Sequence, residues 1–208
     1  HELRNPLGII AASNQLLAER PDDGALRSQC AQKIGVATQR ASLIIENLLK
    51  FARHQGDRLR EVDLRSVLED TFALMAHQMN LQKVNLVTAL QPDLPRVNGN
   101  PELLQQVFIN LILNACNAMV NGGTLSVSAY ATGTGPVEVR FSDSGRGIPA
   151  EHLSKIFDPF FTTMPVGAGT GLGLSLSYSI IQQHQGQIEA ESELGKGATF
   201  VIRLPRAA

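Results

Sequence analysis

"LLQQVFINLILNACNAMV", residues 103–120, contains no charged side chain. Asn100 precedes it as an N-cap and Pro101 as a first helical residue, so the stretch reads as a helix with a defined start. Along it Gln106, Asn110, Asn114 and Asn117 form a stripe of amides spaced four, four and three apart. A solvated face normally carries Lys and Glu. Two readings follow: a plain outer face of unusual composition, or amides turned toward a bound polar ligand. Buried amides need partners. A ligand would supply them, and an amide oxygen can also ligate magnesium that is otherwise held by phosphates and water.

Working outward, further helical segments near 64–79 and 171–185 flank this helix. They mix with alternating or β-rich runs near 84–90, 123–131, 137–142, 187–193 and 197–204. That alternation predicts an α/β sandwich with helices laid on one face of a mixed sheet. The strand "VEVRFSD" ends at Asp143 and is followed by "SGRGIP". An ionised Asp is a pure acceptor, suited to a donor such as the exocyclic amine of adenine, and Gly145 and Gly147 let backbone approach a flat ring. A plain turn after a strand would read the same way. In "FDPFFTTMPVGAGTGLGLSLS" the glycines at 167, 169, 171 and 173 lead straight into a helix. Such a segment presents unpaired amides and a positive dipole end, which suits phosphates. It matches neither the Walker pattern nor a dinucleotide fingerprint.

The first part of the chain has a different rhythm. Leu3, Leu7, Ile10 and Leu17 follow heptad spacing, with Asn14 at the intervening seam position, until "RPDDG" (Arg20–Gly24) supplies a turn. Cys30, Ile34, Ala37, Ala41, Ile44, Leu48 and Phe51 then alternate four and three apart, and Ile45 and Leu49 widen the stripe. A second helix of about 45 Å cannot cover that stripe within one hairpin, so a homodimer forming a four-helix bundle is the economical arrangement. An antiparallel pair packed on the rest of the chain is the alternative. His1 falls off the Leu3/Leu7/Ile10 stripe and shares a face with Asn5. Pro6, placed inside a helix, would remove a hydrogen bond to the carbonyl of Glu2 and bend the helix there. After Phe51, "ARHQGDRLREVD" reads as a linker.

Composition bounds the partners. The 208 residues carry 18 basic and 19 acidic side chains with 43% apolar content, so the electrostatic footprint of a nucleic-acid binder is missing and a folded domain is expected. Cys30 and Cys116 read as buried thiols in a reducing compartment. No apolar run approaches a membrane span, so no membrane contact is expected within this stretch. Beginning on a candidate functional histidine, the chain reads as a fragment, cytoplasmic, with any membrane anchor or sensor left to an upstream region.

In order, these pieces resemble the H, N and two glycine boxes of two-component sensor histidine kinases, with "FDPFF" at the place of the F box. The resemblance spans almost the whole chain. It implies an α+β protein: a dimerisation and histidine-phosphotransfer hairpin (1–57) followed by a catalytic ATP-binding sandwich (58–208), shared with gyrase, the mismatch-repair ATPase and the ninety-kilodalton heat-shock chaperone. It further implies ATP and Mg2+, a homodimer, and a response regulator receiver domain as partner. By the same resemblance His1 is the phosphoacceptor, Glu2 the acid that helps draw its proton, and Asn5 the residue that orients water for regulator dephosphorylation. Asn110 and Asn117 accompany Asn114, the magnesium ligand. Asp143 anchors adenine over Gly145 and Gly147. Gly169, Thr170, Gly171, Leu172 and Gly173 form the phosphate-side loop, and Thr199 lies near the adenine pocket. Many relatives with this short lid carry lysines near the positions of Met164 and Ala168, whereas here residues 162–170 are uncharged, leaving Arg146 or Lys155 as helpers. Two other classes fit parts of the pattern: a clamp ATPase of the same superfamily, and a nucleotide-sensing dimer that has lost phosphotransfer.

Overall fold

The computed structural model describes residues 3–53, 59–164 and 171–207, except for the side chains of residues 40, 43, 44 and 46–53. The chain forms two compact units, one built on a helical hairpin and one on a sheet with its helices.

In the hairpin, α1 (Arg4–Glu19) and α2 (Gly24–Arg53) are joined by residues 20–23. The Arg20 N–H donates to the Leu16 carbonyl to close α1, and Asp23 Oδ1 caps α2 by accepting from the Leu26 N–H at 2.9 Å. The inner face of α1 is Pro6 and Ser13, both buried, with Leu3, Ile10 and Leu17 half-buried. Against it α2 sets Cys30 and Ala37, 2% and 3% exposed. Within one hairpin α2 thus covers the Pro6/Ser13 side, and the expected α1 row through Leu7 and Asn14 lies beside it, with both of those residues exposed. Leu3, Ile10 and Leu17 belong to both rows, and the small Ser13 and Ala37 side chains allow close approach on the Pro6/Ser13 side. Leu7, Ile9 and Leu16 of α1, with Val36 and Ile45 of α2, remain apolar and exposed. Pro6 is the third residue of α1, in the first turn, where an N–H has no intrahelical partner. The described helix consequently loses no bond to it.

The second unit is a five-stranded sheet in the order β2 (Val84–Leu90), β4 (Gly123–Ala131), β5 (Val137–Asp143), β7 (Gly197–Leu204), β6 (Gln187–Glu193). β2 and β4 are parallel and the remaining pairs antiparallel. Alternation along β5 sorts its two faces. Val137, Val139, Phe141 and Asp143 are buried, whereas Glu138, Arg140 and Ser142 are not. The buried face is covered by α3 (Leu64–Leu81), α4 (Pro101–Ala118) and α6 (Gly173–Gln183). Phe108 of α4 meets Phe141 at 5.6 Å between ring centres, amid fully buried Leu104, Leu111, Ile112, Leu125 and Ile181. Each such side chain contributes about 1.5–3 kcal/mol by leaving water.

Caps set the helix starts. Asp63 Oδ1 accepts from the Arg65 and Ser66 amides, and Asn100 Oδ1 accepts from the Leu103 amide at 2.9 Å. The opposite sheet face is polar. There Glu138 accepts from Tyr130, from Arg140 Nε at 2.6 Å and from Arg203 Nε at 2.8 Å. Burial pushes its carboxyl up, but these bonds outweigh it and bring the pKa down to about 2. Both cysteines are free and buried, and burial raises the Cys116 thiol above its ordinary range.

Three short elements go beyond the sequence expectation: β1 (Arg60–Val62), which pairs with β3 (Val97–Gly99), and α5 (Ala150–Leu153). Three or four residues are too few to display a period.

Candidate functional site

The uncharged helix organises the site. Midway along α4, Asn110 Nδ2 donates to Ser177 Oγ of α6 at 2.9 Å, and Gly173, the first residue of α6, lies so close that a Cβ there would strike the Asn110 amide. At the C-terminal end of α4, the Ala118 carbonyl accepts from the Arg146 N–H at 3.2 Å, and a Cβ on Gly145 would sit 2.8 Å from the Ala118 Cβ. The second half of α4 therefore runs from the start of α6 to the turn after β5, with Asn114 between. Asn114 is half-buried, and its buried Nδ2 has no hydrogen-bond partner among the described residues. An amide that no protein neighbour orients can present either its oxygen or its nitrogen to a ligand. Asn117, by contrast, is exposed.

Asp143 closes the other end. It is 8% exposed, and Oδ1 accepts from the Gly145 amide at 2.8 Å and the Ala198 amide at 3.4 Å. Burial pushes its carboxyl above the usual carboxylate range, and the two amide bonds partly oppose that. Gly147 has φ +72°, and a side chain there would run into the Glu193 carbonyl. The turn is fastened to the β6–β7 hairpin: Ile148 N–H donates to Ser192 Oγ at 2.8 Å, and Gly195 N–H donates to the Arg146 carbonyl at 2.8 Å.

The phosphate-side segment is held at its stem. The Phe160 N–H donates to the Gly171 carbonyl at 2.9 Å, with both residues in the left-handed region (φ +69° and +65°). A Cβ on Gly171 would collide with the Phe160 backbone, so only glycine fits. Leu172 is the N-cap residue of α6 and its carbonyl accepts from Ser175 Oγ at 3.0 Å. The first amides of α6 have no intrahelical acceptor. They give the site its anion-facing end.

Of the residues expected at the site, Asn110, Asn114, Asp143, Gly145, Gly147, Gly171, Leu172 and Gly173 line this run from α6 to the β5 turn. Thr199 does not converge with them. Its Oγ1 pairs with Ser142 Oγ at 2.9 Å on the opposite sheet face from Asp143, and Ala198 occupies the place beside the carboxylate. Asn5 is exposed on α1, and Arg146 and Lys155 are exposed. His1, Glu2, Gly169 and Thr170 lie outside the described residues. Sequence reasoning missed Ser177, Ser192 and Ala198. Ser177 leaves a trace, a small polar residue four after Gly173 on an apolar helix face, while the other two become visible only once strand register is known.

A chemistry follows from this layout. One end offers a buried acceptor above a glycine turn, the other offers helix amides, and an unpaired amide stands between. That suits an elongated ligand with a hydrogen-bond donor at one end and negative charge at the other. Asn114 alone fits a cation that is otherwise held by the ligand's own oxygens.

Residues 99–208 match the family described as histidine kinase-, DNA gyrase B-, and HSP90-like ATPase, and residues 1–57 match the His Kinase A (phospho-acceptor) domain. The chain is 37% identical over 205 residues to the sensor histidine kinase ZraS of Escherichia coli (strain K12), covering 99% of this chain and 43% of that protein. It is 36% identical over 208 residues to sporulation kinase E of Bacillus subtilis (strain 168), covering 99% of this chain and 27% of the relative. The chain thus spans less than half the length of these relatives. Among solved structures, the catalytic domain of histidine kinase ThkA matches with TM-score 0.64 and 31% identity over 72% of this chain and 97% of that one. Histidine kinase ThkA in complex with response regulator protein TrrA matches with TM-score 0.75 and 25% identity over 100% of this chain and 59% of that one.

Proposed function

Since the chain belongs to the histidine kinase-, DNA gyrase B-, and HSP90-like ATPases, and within them to the sensor histidine kinases, we propose that it is a protein-histidine kinase core that phosphorylates its own His1 from ATP. Residues 1–57 act as the dimerisation and phosphotransfer domain and residues 58–208 as the catalytic domain. The observation that carries the reading is the Asn114 amide, whose Nδ2 has no partner among the described residues, set between the buried Asp143 acceptor and the N-terminal end of α6.

In this reading Asp143 receives the adenine amine above Gly145 and Gly147, and the phosphates lie toward Gly169, Thr170, Gly171, Leu172 and Gly173. Asn110 acts through α6, which it fastens by Ser177. Asn114 would hold Mg2+, whose part is to neutralise charge on the transferring phosphoryl group. A His1 ring nitrogen attacks the γ-phosphorus, the bond to the bridging oxygen breaks, ADP leaves, and Glu2 helps take the ring proton. The phosphoryl group then passes to an aspartate of a response regulator receiver domain, the P–N bond breaking as the carboxylate attacks. Asn5, exposed on α1, orients water for the later hydrolysis of that acyl phosphate.

The exposed Leu7, Ile9, Leu16, Val36 and Ile45 are the apolar residues that a second hairpin would cover in a homodimeric bundle. No described helix is long and apolar enough to cross a membrane, in keeping with a cytoplasmic placement. Incubation with γ-labelled ATP tests the reading. We expect an acid-labile protein label that His1→Ala abolishes while ATP affinity is kept. An unchanged label in that variant overturns it.

A further inference from the structure

His184 has no part in the chemistry above, yet it is 1% exposed and fully hydrogen-bonded. It caps the C-terminal end of α6. Its Nε2 accepts from the Asn100 N–H at 2.9 Å, and its Nδ1 faces the Ile180 carbonyl at 2.7 Å. An amide N–H must meet a lone pair and a carbonyl must meet a proton, so the ring is the neutral Nδ1–H tautomer. The fit is close: a Cβ on Gly99 would lie 2.8 Å from the ring Cδ2.

Asn100 is the N-cap of α4, so this ring joins the first residue of one site helix to the last turn of the other. The Asn110–Ser177 bond joins the same two helices near the site. Two ties, one at the C-terminal end of α6 and one midway along it, fix how far that helix can slide along α4. We propose that His184 is a positioning residue for the nucleotide site, holding the α6 N terminus in register with Asn114 from the far end of the helix pair. The inference rests on the reading that ATP binds between Asp143 and α6.

Protonation would set an N–H against the Asn100 N–H and break the tie. The ring is held below the ordinary histidine range by burial, with the Ile180 and Asn100 bonds acting against it and no charged side chain contributing. The ring faces Gly99 of β3, Asn100 and Leu104 of α4, and Ile180 of its own helix. Ionisable groups on the neighbouring elements turn to solvent: Glu102 of α4 and Arg60 of β1 have side chains 73% and 65% exposed, and Glu61 of β1 is 60% exposed. The only ionisable side chain of α6, Tyr178, is 43% exposed. Nucleotide affinity should therefore fall in acid through this ring.

The test compares the full chain with His184→Gln and His184→Ala, measuring MgATP dissociation constants by calorimetry at pH 7.5 and at about 4.5, below the ordinary histidine range, with circular dichroism at each pH. Gln offers one acceptor and one donor and does not titrate in this range. ATP's own phosphate ionisation and Asp143 are common to all three proteins. We expect acidification to weaken the wild type more than the Gln variant once the pH falls through the ring's lowered range, and the folded Ala variant to bind about tenfold more weakly at pH 7.5. Imidazole nitrogen shifts should show the Nδ1–H tautomer. Equal acid responses of wild type and Gln variant overturn the inference, as does unchanged affinity in a folded Ala variant. Those results leave the nucleotide site standing. Absence of ATP binding by the wild type at both pH values overturns the site reading and this inference with it. Should the Ala variant not fold, the comparison of wild type with Gln decides alone.

Discussion

Removing either partner of the Asn110–Ser177 bond should separate an amide that touches nucleotide from one that acts through α6. The bond is 2.9 Å long, Ser177 is 1% exposed and Asn110 is half-buried. Ser177→Ala deletes little volume but leaves Asn110 Nδ2 without its acceptor, a loss of about 1–2 kcal/mol because water can reach Asn110 only in part. Asn110→Ala strands the Ser177 hydroxyl and also opens space beside Gly173, so about 2 kcal/mol is expected. The double variant should be less destabilised than the sum by about 1 kcal/mol, the net worth of the bond. Urea unfolding of the four proteins gives the cycle, provided their m-values agree. Both single variants should also weaken ATP binding by similar factors, since each frees α6 in the same way. Additivity within about 0.3 kcal/mol would refute the coupling. A Ser177→Ala variant with wild-type ATP affinity, beside an Asn110→Ala variant that has lost it, would show that Asn110 meets the nucleotide directly.

Other substitutions probe the remaining parts. The Glu138 carboxyl, with a folded pKa of about 2 against an ordinary 4.5, contributes stability that is present above the ordinary value and lost as pH falls toward 2. Glu138→Gln should therefore cost about 1–2 kcal/mol at pH 7, the arginine partners being partly solvent-screened, and denaturant titrations near pH 2 should find the two proteins alike. Asp143→Asn replaces a pure acceptor with a mixed amide, so competition assays should show poorer discrimination of ATP from GTP; retained selectivity would remove Asp143 from the base site. Asn5→Ala should leave His1 phosphorylation and transfer mostly intact while slowing regulator dephosphorylation at least about tenfold, or about 1.4 kcal/mol. Parallel losses in all three rates would mean that Asn5 serves the hairpin.

The long elements were legible because their signals are local. Alternation brackets the five sheet strands to within a residue, and the Asn100–Pro101 pair fixes where α4 begins. What failed depends on partners distant in sequence. Leu3, Ile10 and Leu17 serve two adjacent faces, and only the position of α2 decides that within one hairpin Pro6 is covered and Leu7 exposed. Thr199 was expected on the Asp143 side, but whether residue 198 or 199 faces a residue of β5 is a matter of register across more than fifty residues, which no local pattern encodes. The amide stripe was read as one feature, yet its three asparagines differ: Asn110 is bonded to protein, Asn114 Nδ2 has no partner among the described residues, and Asn117 is in solvent. Glycine positions were the most reliable guide to the site, since Gly145, Gly147 and Gly173 each stand where backbone or a neighbouring side chain leaves no room for a Cβ.

The clasp between Phe160 and Gly171 bears on how this chain tolerates change. The Phe160 N–H to Gly171 carbonyl bond brings the two ends of the intervening segment together, so the entropy of closing that loop is settled in part at its stem. Doubling the number of residues between the two would add only about 0.6 kcal/mol. The segment can therefore change in length after Phe161, which packs on the core, or accept an inserted reporter, with little loss of folding stability, while Gly171 itself cannot be exchanged. Differences in length among sequences built on this plan should fall between the two clasp residues and stop at Gly171.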